Sequence, residues 1–382
     1  AGNRNSRVHR ANSLTAFVTR FRTPIIGLFG IITVVSAVLT FSNEVNSDPY
    51  QYFAKGVALR EANDFITQEI GGARGLEIVV RAGKEDGIKE PEFLKKVEAY
   101  QEWLEAKPEV SRTISVVDIL KATHRSLNGD NQDFYVLPDS REAIGQELFL
   151  YTMSLPQGMD INDRITLKND AIRLTLLWTI SDSKTWLEEA EVVAEKAKDF
   201  GLDITITGKG NLYQGMNPYV VESFVRSISM ALVLISILLV VVFGSFKMGM
   251  MALLPNCIPL LLGGAAFWLM GKSIDIGSVL VVSVCLGIAV DDTIHILSNY
   301  NRLRQNGVGA QDATAEVLAH TSPALIFTTI ILVLGFGTLG FATFVPNIFF
   351  GIMTAIILSL ALITDLTFLP AILTEKNKPQ EN

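Results

Sequence analysis

Asp291, Asp292 and His295 sit close together inside the apolar run Leu286-Gly287-Ile288-Ala289-Val290-Asp291-Asp292-Thr293-Ile294-His295. A charged side chain at bilayer depth costs from ~2.5 to well over 10 kcal/mol, depending on the reference state, so three ionisable groups there need a task. On a helix His295 follows Asp291 by four residues and Asp292 by three, which lets the imidazole approach either carboxyl. Two carboxylates in a poorly hydrated place resist joint ionisation, which makes one of them a usable proton site. Moving protons or ions is the chemistry that these residue types at this spacing suit.

The elements that must position the trio are long apolar helices. Of the 382 residues, 49% are hydrophobic and 19% charged, and the mean hydropathy is +0.34, too oily for an ordinary soluble chain. Six runs, at about 24–41, 224–244, 249–270, 277–298, 322–343 and 348–370, are long enough for a hydrocarbon core that needs roughly 20 helical residues. Arg4, Arg7, Arg10, Arg20 and Arg22 lead the first run, Lys247 separates the second and third, and Arg302 and Arg304 follow the fourth. By the positive-inside rule these ends are cytoplasmic, both termini are cytoplasmic, and residues 42–220 lie outside. At ~1.5 Å per residue, Asp292, Thr328 with Thr329, and Asp365 each lie roughly 8–10 Å from a cytoplasmic helix end. The expected cluster is therefore Asp291, Asp292, His295, Thr328 and Asp365, with Thr329 beside it. Plainer readings stand next to this one: His295 snorkelling to water, the threonines bonding back to their own helix, and Asp365 facing an interface.

The 42–220 stretch carries about thirty acidic against twenty basic side chains, the surface of a folded polar domain. Strand-like runs occur at 76–80, 113–117, 171–178 and 204–207. Pro91 opens a helix through Ala106 with Phe93, Leu94, Val97, Tyr100 and Leu104 at helical spacing, and Ser183 is the expected cap of another that runs past Ala197. This order predicts an α/β ferredoxin-like (split βαβ) domain. The expected organisation is a basic cytoplasmic arm over 1–23, a first span over 24–41 and the outside domain over 42–220. A five-helix bundle over 221–370 follows, with a cytoplasmic linking helix near 300–320, then a tail over 371–382. Asn217-Pro218 is the expected joint between domain and bundle, and the small residues Gly263-Gly264 and Gly335-Phe336-Gly337 are expected at close helix contacts.

One span, a large outside α/β domain and five more spans, with Gly287 to His295 in the fourth, resembles one half of a resistance–nodulation–division (RND) transporter of the MMPL and hopanoid-transporter branch, related to Patched. The runs Phe243-Gly244-Ser245, Leu254-Pro255-Asn256-Cys257-Ile258-Pro259, Gly335-Phe336-Gly337-Thr338-Leu339 and Asp365-Leu366-Thr367-Phe368-Leu369-Pro370-Ala371 carry the same resemblance. It implies that Asp291 and Asp292 belong to a proton relay, that a proton gradient stands in place of any cofactor, and that the outside domain is a porter domain in the periplasm above a bacterial inner membrane. The implied partners are a hydrophobic small molecule or lipid as cargo, membrane lipids, a periplasmic carrier protein and a second six-span half. That half would be part of the same natural polypeptide, a partner chain or a second copy. Family members usually carry both halves on one chain, and a half upstream on the natural polypeptide is the expectation. Two rival functions share the architecture: a lipid- or sterol-sensing regulatory module, and an accessory proton-driven subunit of a protein-export machine.

Other classes find no support in the residues. The formal charge of −7 and the lack of a basic stripe exclude a nucleic-acid partner. There is no GxxxxGK[ST] phosphate loop, no Gly-x-Ser-x-Gly elbow and no spaced nucleophile–base pair. Cys257 and Cys285 both lie in apolar runs and read as small packing residues, and the four histidines lack metal-ligand spacing. The expectation is a secondary active transporter without cofactor or metal.

Overall fold

The structure is a computed structural model that describes residues 14–69, 74–157 and 159–374. Residues 1–13 of the expected basic arm, with Arg4, Arg7 and Arg10, and most of the expected tail lie outside the described residues. The chain forms two compact units, one from residues up to Asn46 and from Pro218 onward, the other from Ser47 to Asn217.

A short helix over 14–20 precedes α1 (Arg22–Phe41), a helix apolar on nearly every side and long enough to cross a membrane. The polar unit then opens with α2 (Ala58–Glu69) and is built on β1 (Arg74–Arg81), α3 (Pro91–Glu105), β2 (Val110–Ile114), α4 (Val116–Leu127), α5 (Arg141–Ser154), β3 (Ala171–Trp178), α6 (Ser183–Asp199) and β4 (Asp203–Thr207). The sheet order is β2-β3-β1-β4 with every neighbour antiparallel, the split βαβ arrangement. Alternation along β1 places Leu76, Ile78 and Val80 on the covered face. There they meet Leu94, Val97, Tyr100 and Leu104 of α3 and Trp186, Val193 and Ala197 of α6 in one core. The Tyr100 hydroxyl donates to the carbonyl of Val193 at 2.7 Å, tying the two helices together over the sheet, and burial pushes its phenol up out of the usual range. On the opposite face the guanidinium of Arg173 makes two bonds to Glu77, at 2.6 and 2.7 Å, across the central strands.

Several local expectations are corrected. The run at 113–117 is not one strand: β2 ends at Ile114, and Ser115 caps α4 in a reciprocal box with Asp118. β-Branched Val116 and Val117 read as strand, but the cap prevails because it satisfies amides at the helix start. The cap of α6 is Asp182, which accepts from the Thr185 amide, so Ser183 is the first helical residue. Two helices, α4 and α5, fill the β2–β3 connection where a plain split βαβ has a hairpin, and His124 Nδ1 lies 2.6 Å from Glu147 Oε1 between them.

The remaining helices are α7 (Gly208–Phe243), α8 (Phe246–Leu269), α9 (Ile276–Gln305), α10 (Ala310–Gly337) and α11 (Val345–Leu373), each with a window long and apolar enough to span. With α1 they make six spans. α7 runs unbroken through Pro218, so the expected joint at Asn217-Pro218 is continuous helix. Similarly, no separate linking helix occupies 300–320: α9 extends to Gln305, a turn with left-handed Gly307 follows, and α10 carries straight on through Pro323. The close helix contact at Gly263-Gly264 is present. A Cβ at Gly264 would lie 2.5 Å from Thr40 Oγ1, whose hydroxyl donates to the Leu261 carbonyl, and Asn43 donates to the Gly264 carbonyl. Gly335 and Gly337 have open space around them, and the tight approach to α10 is made by Gly351 of α11 against the Phe336 carbonyl.

Candidate functional site

Three helices of the bundle converge on three buried polar side chains. α8 brings Asn256, α9 Thr293 and α11 Asp365, all at most 2% exposed. The Thr293 hydroxyl lies 3.0 Å from Asp365 Oδ1, 3.1 Å from Asn256 Oδ1 and 3.2 Å from the Ala289 carbonyl. One hydroxyl proton thus faces three acceptors, and it can serve one of them fully. The Asn256 amide is fixed at its other end by donating to the Ala252 carbonyl at 2.8 Å. It sits between Pro255 and Pro259, which contribute no N–H, so the helix around it offers carbonyls in place of closed backbone bonds. No lysine or arginine pairs with Asp292 or Asp365 among the described residues.

The sequence-derived residues separate into groups. Asp292 is half-buried and close enough to Asp365 for the two charges to interact. Asp291 points elsewhere, because consecutive residues on a helix are turned by about 100°. It pairs instead with His295, Nε2 to Oδ1 at 3.7 Å, and both side chains are well exposed. Gly287, with nothing near its missing side chain, and Ser298 are exposed along the same stripe. Thr328 does not join the cluster: its hydroxyl bonds back to the carbonyls of Ala324 and Leu325 on its own helix, and it is exposed. Thr329, one position on, is buried but makes no hydrogen bond to this layer among the described residues.

Asn256 and Thr293 are the members that sequence reasoning missed. A carboxamide inside an otherwise apolar span, flanked by two prolines, is the signal that would have drawn attention to Asn256. Thr293 lay in plain view between residues of stronger chemistry, and a span threonine more often bonds its own helix. Thr293 does both. Among the described residues no group of three His, Cys, Asp or Glu side chains could hold a metal ion.

A six-span bundle with a carboxylate buried among its helices, joined to a small split βαβ unit, defines a multi-pass membrane protein of the RND transporter superfamily. The MMPL family model matches residues 179–376, more than half of the chain, and the chain belongs to the MMPL family. A protein of Methanocaldococcus jannaschii named as a membrane protein, MJ1562, is 23% identical over 320 residues, which cover 81% of this chain and 79% of that one. The toluene efflux pump membrane transporter TtgE of Pseudomonas putida is 27% identical over 174 residues, 42% of this chain. The match takes in 16% of the pump's length.

Proposed function

We propose that the protein is a proton-coupled transporter that moves lipids or other hydrophobic compounds out of a bacterial inner membrane. Asp365 carries the reading. It is a carboxylate 2% exposed within the bundle, bonded by Thr293 and near enough to Asp292 for the two charges to interact, without a cationic partner among the described residues. A buried carboxylate held this way costs a fold a great deal unless its charge is used or removed. A proton arriving on Asp365 supplies the second donor that the layer lacks: Asp365 then donates to Thr293, and the Thr293 hydroxyl is released to Asn256 or Ala289. Loss of the proton reverses the chain of bonds and restores a charge that the three helices must accommodate by repacking. In this scheme Asp292 passes protons between Asp365 and the aqueous side. A unit charge crossing ~100 mV yields about 2.3 kcal/mol, enough to bias such a repacking roughly fifty-fold.

The hydrophobic cargo is supported by the family and by the similarity to a pump named for toluene, and the remaining expectations extend the same reading. Basic residues at the span ends support a periplasmic position for the polar unit, which would serve as the porter domain. The exposed stripe of Gly287, Asp291, His295 and Ser298 along a spanning helix supports a second six-span half lying against α9, since polar groups facing lipid alone are disfavoured. Asp291 and His295 would then act across that contact. The test is proton flux in proteoliposomes holding the whole assembly, comparing the parent with Asp292→Asn and Asp365→Asn at matched reconstitution. Flux that follows an imposed gradient and is lost in both variants is the expected result. Equal flux in parent and variants, with candidate lipids supplied, would give the carboxylates a structural role and favour the sensing reading.

A further inference from the structure

The polar unit carries a second set of unspent hydrogen-bonding groups, at the end of its sheet where β1 begins and β3 finishes. Arg74 and Trp178 are direct cross-strand partners there. Both lie on the covered face, Arg74 at 8% exposure and Trp178 fully buried. The Arg74 guanidinium stacks 4.0 Å from the centre of the Tyr50 ring and donates one bond, from Nη2 to Asn63 Oδ1 at 3.3 Å. Its Nε is buried without a partner, and no carboxylate pairs with it among the described residues. The Trp178 Nε1 is also buried without a partner, its ring held edge-on against Trp186 at 4.7 Å. Three residues beyond Trp178, the Ser181 carbonyl accepts from Gln214 Nε2 at 3.0 Å, which leaves Gln214 Oε1 buried and unbonded. The start of α7 closes the same end. A Cβ on Gly210 would lie 3.0 Å from the carbonyl oxygen of Gly75, the neighbour of Arg74, and equally close to the Trp186 ring.

Buried polar groups nearly always find partners, and a buried cation without a counter-charge is costly. Here a guanidinium and an indole N–H lie buried at one strand end, and among the described residues no carboxylate pairs with either. We propose that this end of the polar unit binds an anionic oxygen group, a carboxylate or a phosphate, with Arg74 as its cation and Trp178 as its second donor. A guanidinium fork matches either oxyanion. The site is independent of the membrane carboxylates and stands whether or not they carry protons. Its ligand is either a free ion or the head group of an amphiphile.

Trp178 and Trp186 supply the reporter. The full chain in a neutral maltoside detergent is titrated with inorganic phosphate, dodecyl phosphate, dodecanoate and uncharged dodecanol, following tryptophan emission. The expected result is a saturable change with at least one anion and none with dodecanol. A response to inorganic phosphate marks a free-ion site, and a response to the two amphiphiles alone marks a head-group site. Arg74→Gln is expected to weaken binding at least tenfold. Arg74→Lys, which keeps the buried cation and guards against loss of folding, is expected to weaken it about fivefold through loss of the fork. A flat titration of the parent, a response to dodecanol equal to that of the anions, or undiminished binding in the folded lysine variant would overturn the proposal.

Discussion

Thr293 on the fourth span stands 3.0 Å from the carboxylate of Asp365 on the sixth. The contact joins two helices through a group that both donates and accepts, and it makes the protonation of one residue the concern of three.

Thr293→Val keeps the shape of the side chain and removes that relay of bonds. We expect gradient-driven proton flux to fall at least tenfold, about 1.4 kcal/mol or more in the coupling step, while Thr293→Ser stays within a few-fold of the parent. Flux in proteoliposomes with matched protein content checks both.

The two neighbouring carboxylates should behave differently. Asp292→Asn, at the half-buried position, is expected to abolish flux. Asp291→Asn, on the exposed stripe with His295, is expected to leave measurable flux in the isolated chain. Equal loss in both variants would place Asp291 in the same path as Asp292.

In the polar unit, partial burial pushes the Glu77 carboxyl up, but the bonds from Arg173 and Thr175 outweigh it and hold the group below the usual carboxylate range. Its folded value is therefore the depressed one. The stability it contributes is present above the unfolded value, about 4.3, and is lost as pH falls through the folded value. Glu77→Gln should lower the melting temperature of the unit by a similar amount at pH 7 and pH 5, and by less below pH 4. Tryptophan-detected melting across that range reads the effect.

Ser115 caps α4 and also donates to Gln101 Oε1 at 2.6 Å. Ser115→Ala removes the cap and orphans a buried amide, and should cost about 1–2 kcal/mol of the polar unit's stability. Denaturant titration of the parent and variant provides the comparison, with an unchanged slope expected.

Gly264→Val would drive two methyl groups into Thr40 and break the seam between α1 and α8. A loss of about 1–3 kcal/mol is expected for overpacking of this kind, read as a lowered melting temperature in detergent, while Gly335→Ala, with open space around it, should melt like the parent.

The spans were legible because length and apolarity alone decide what can cross a bilayer, and Asp292 was legible because a charge in such a segment is conspicuous. Their ends were not. Asn217-Pro218, where the two compact units divide, lies inside one helix, and the expected helix over 299–320 is instead interrupted by a turn at Gly307, with α10 then running on through Pro323. Val116 and Val117 looked like strand because β-branched residues suit both a sheet and a capped amphipathic helix, and only the Ser115–Asp118 box separates them. Thr328 and Thr329 could not be told apart by depth. Rotation about the helix axis, which depends on neighbours, buries one and exposes the other.

Asn256 already holds, without any ionisable proton, the shape that a neutral Asp365 would adopt. Asp365→Asn would therefore set two amides across one hydroxyl and freeze the layer in its uncharged arrangement at every pH. If the proposed proton-driven cycle holds, such a chain is a specimen as much as a loss-of-function variant: a population locked in one conformation, suited to imaging the state in which Asp365 is neutral.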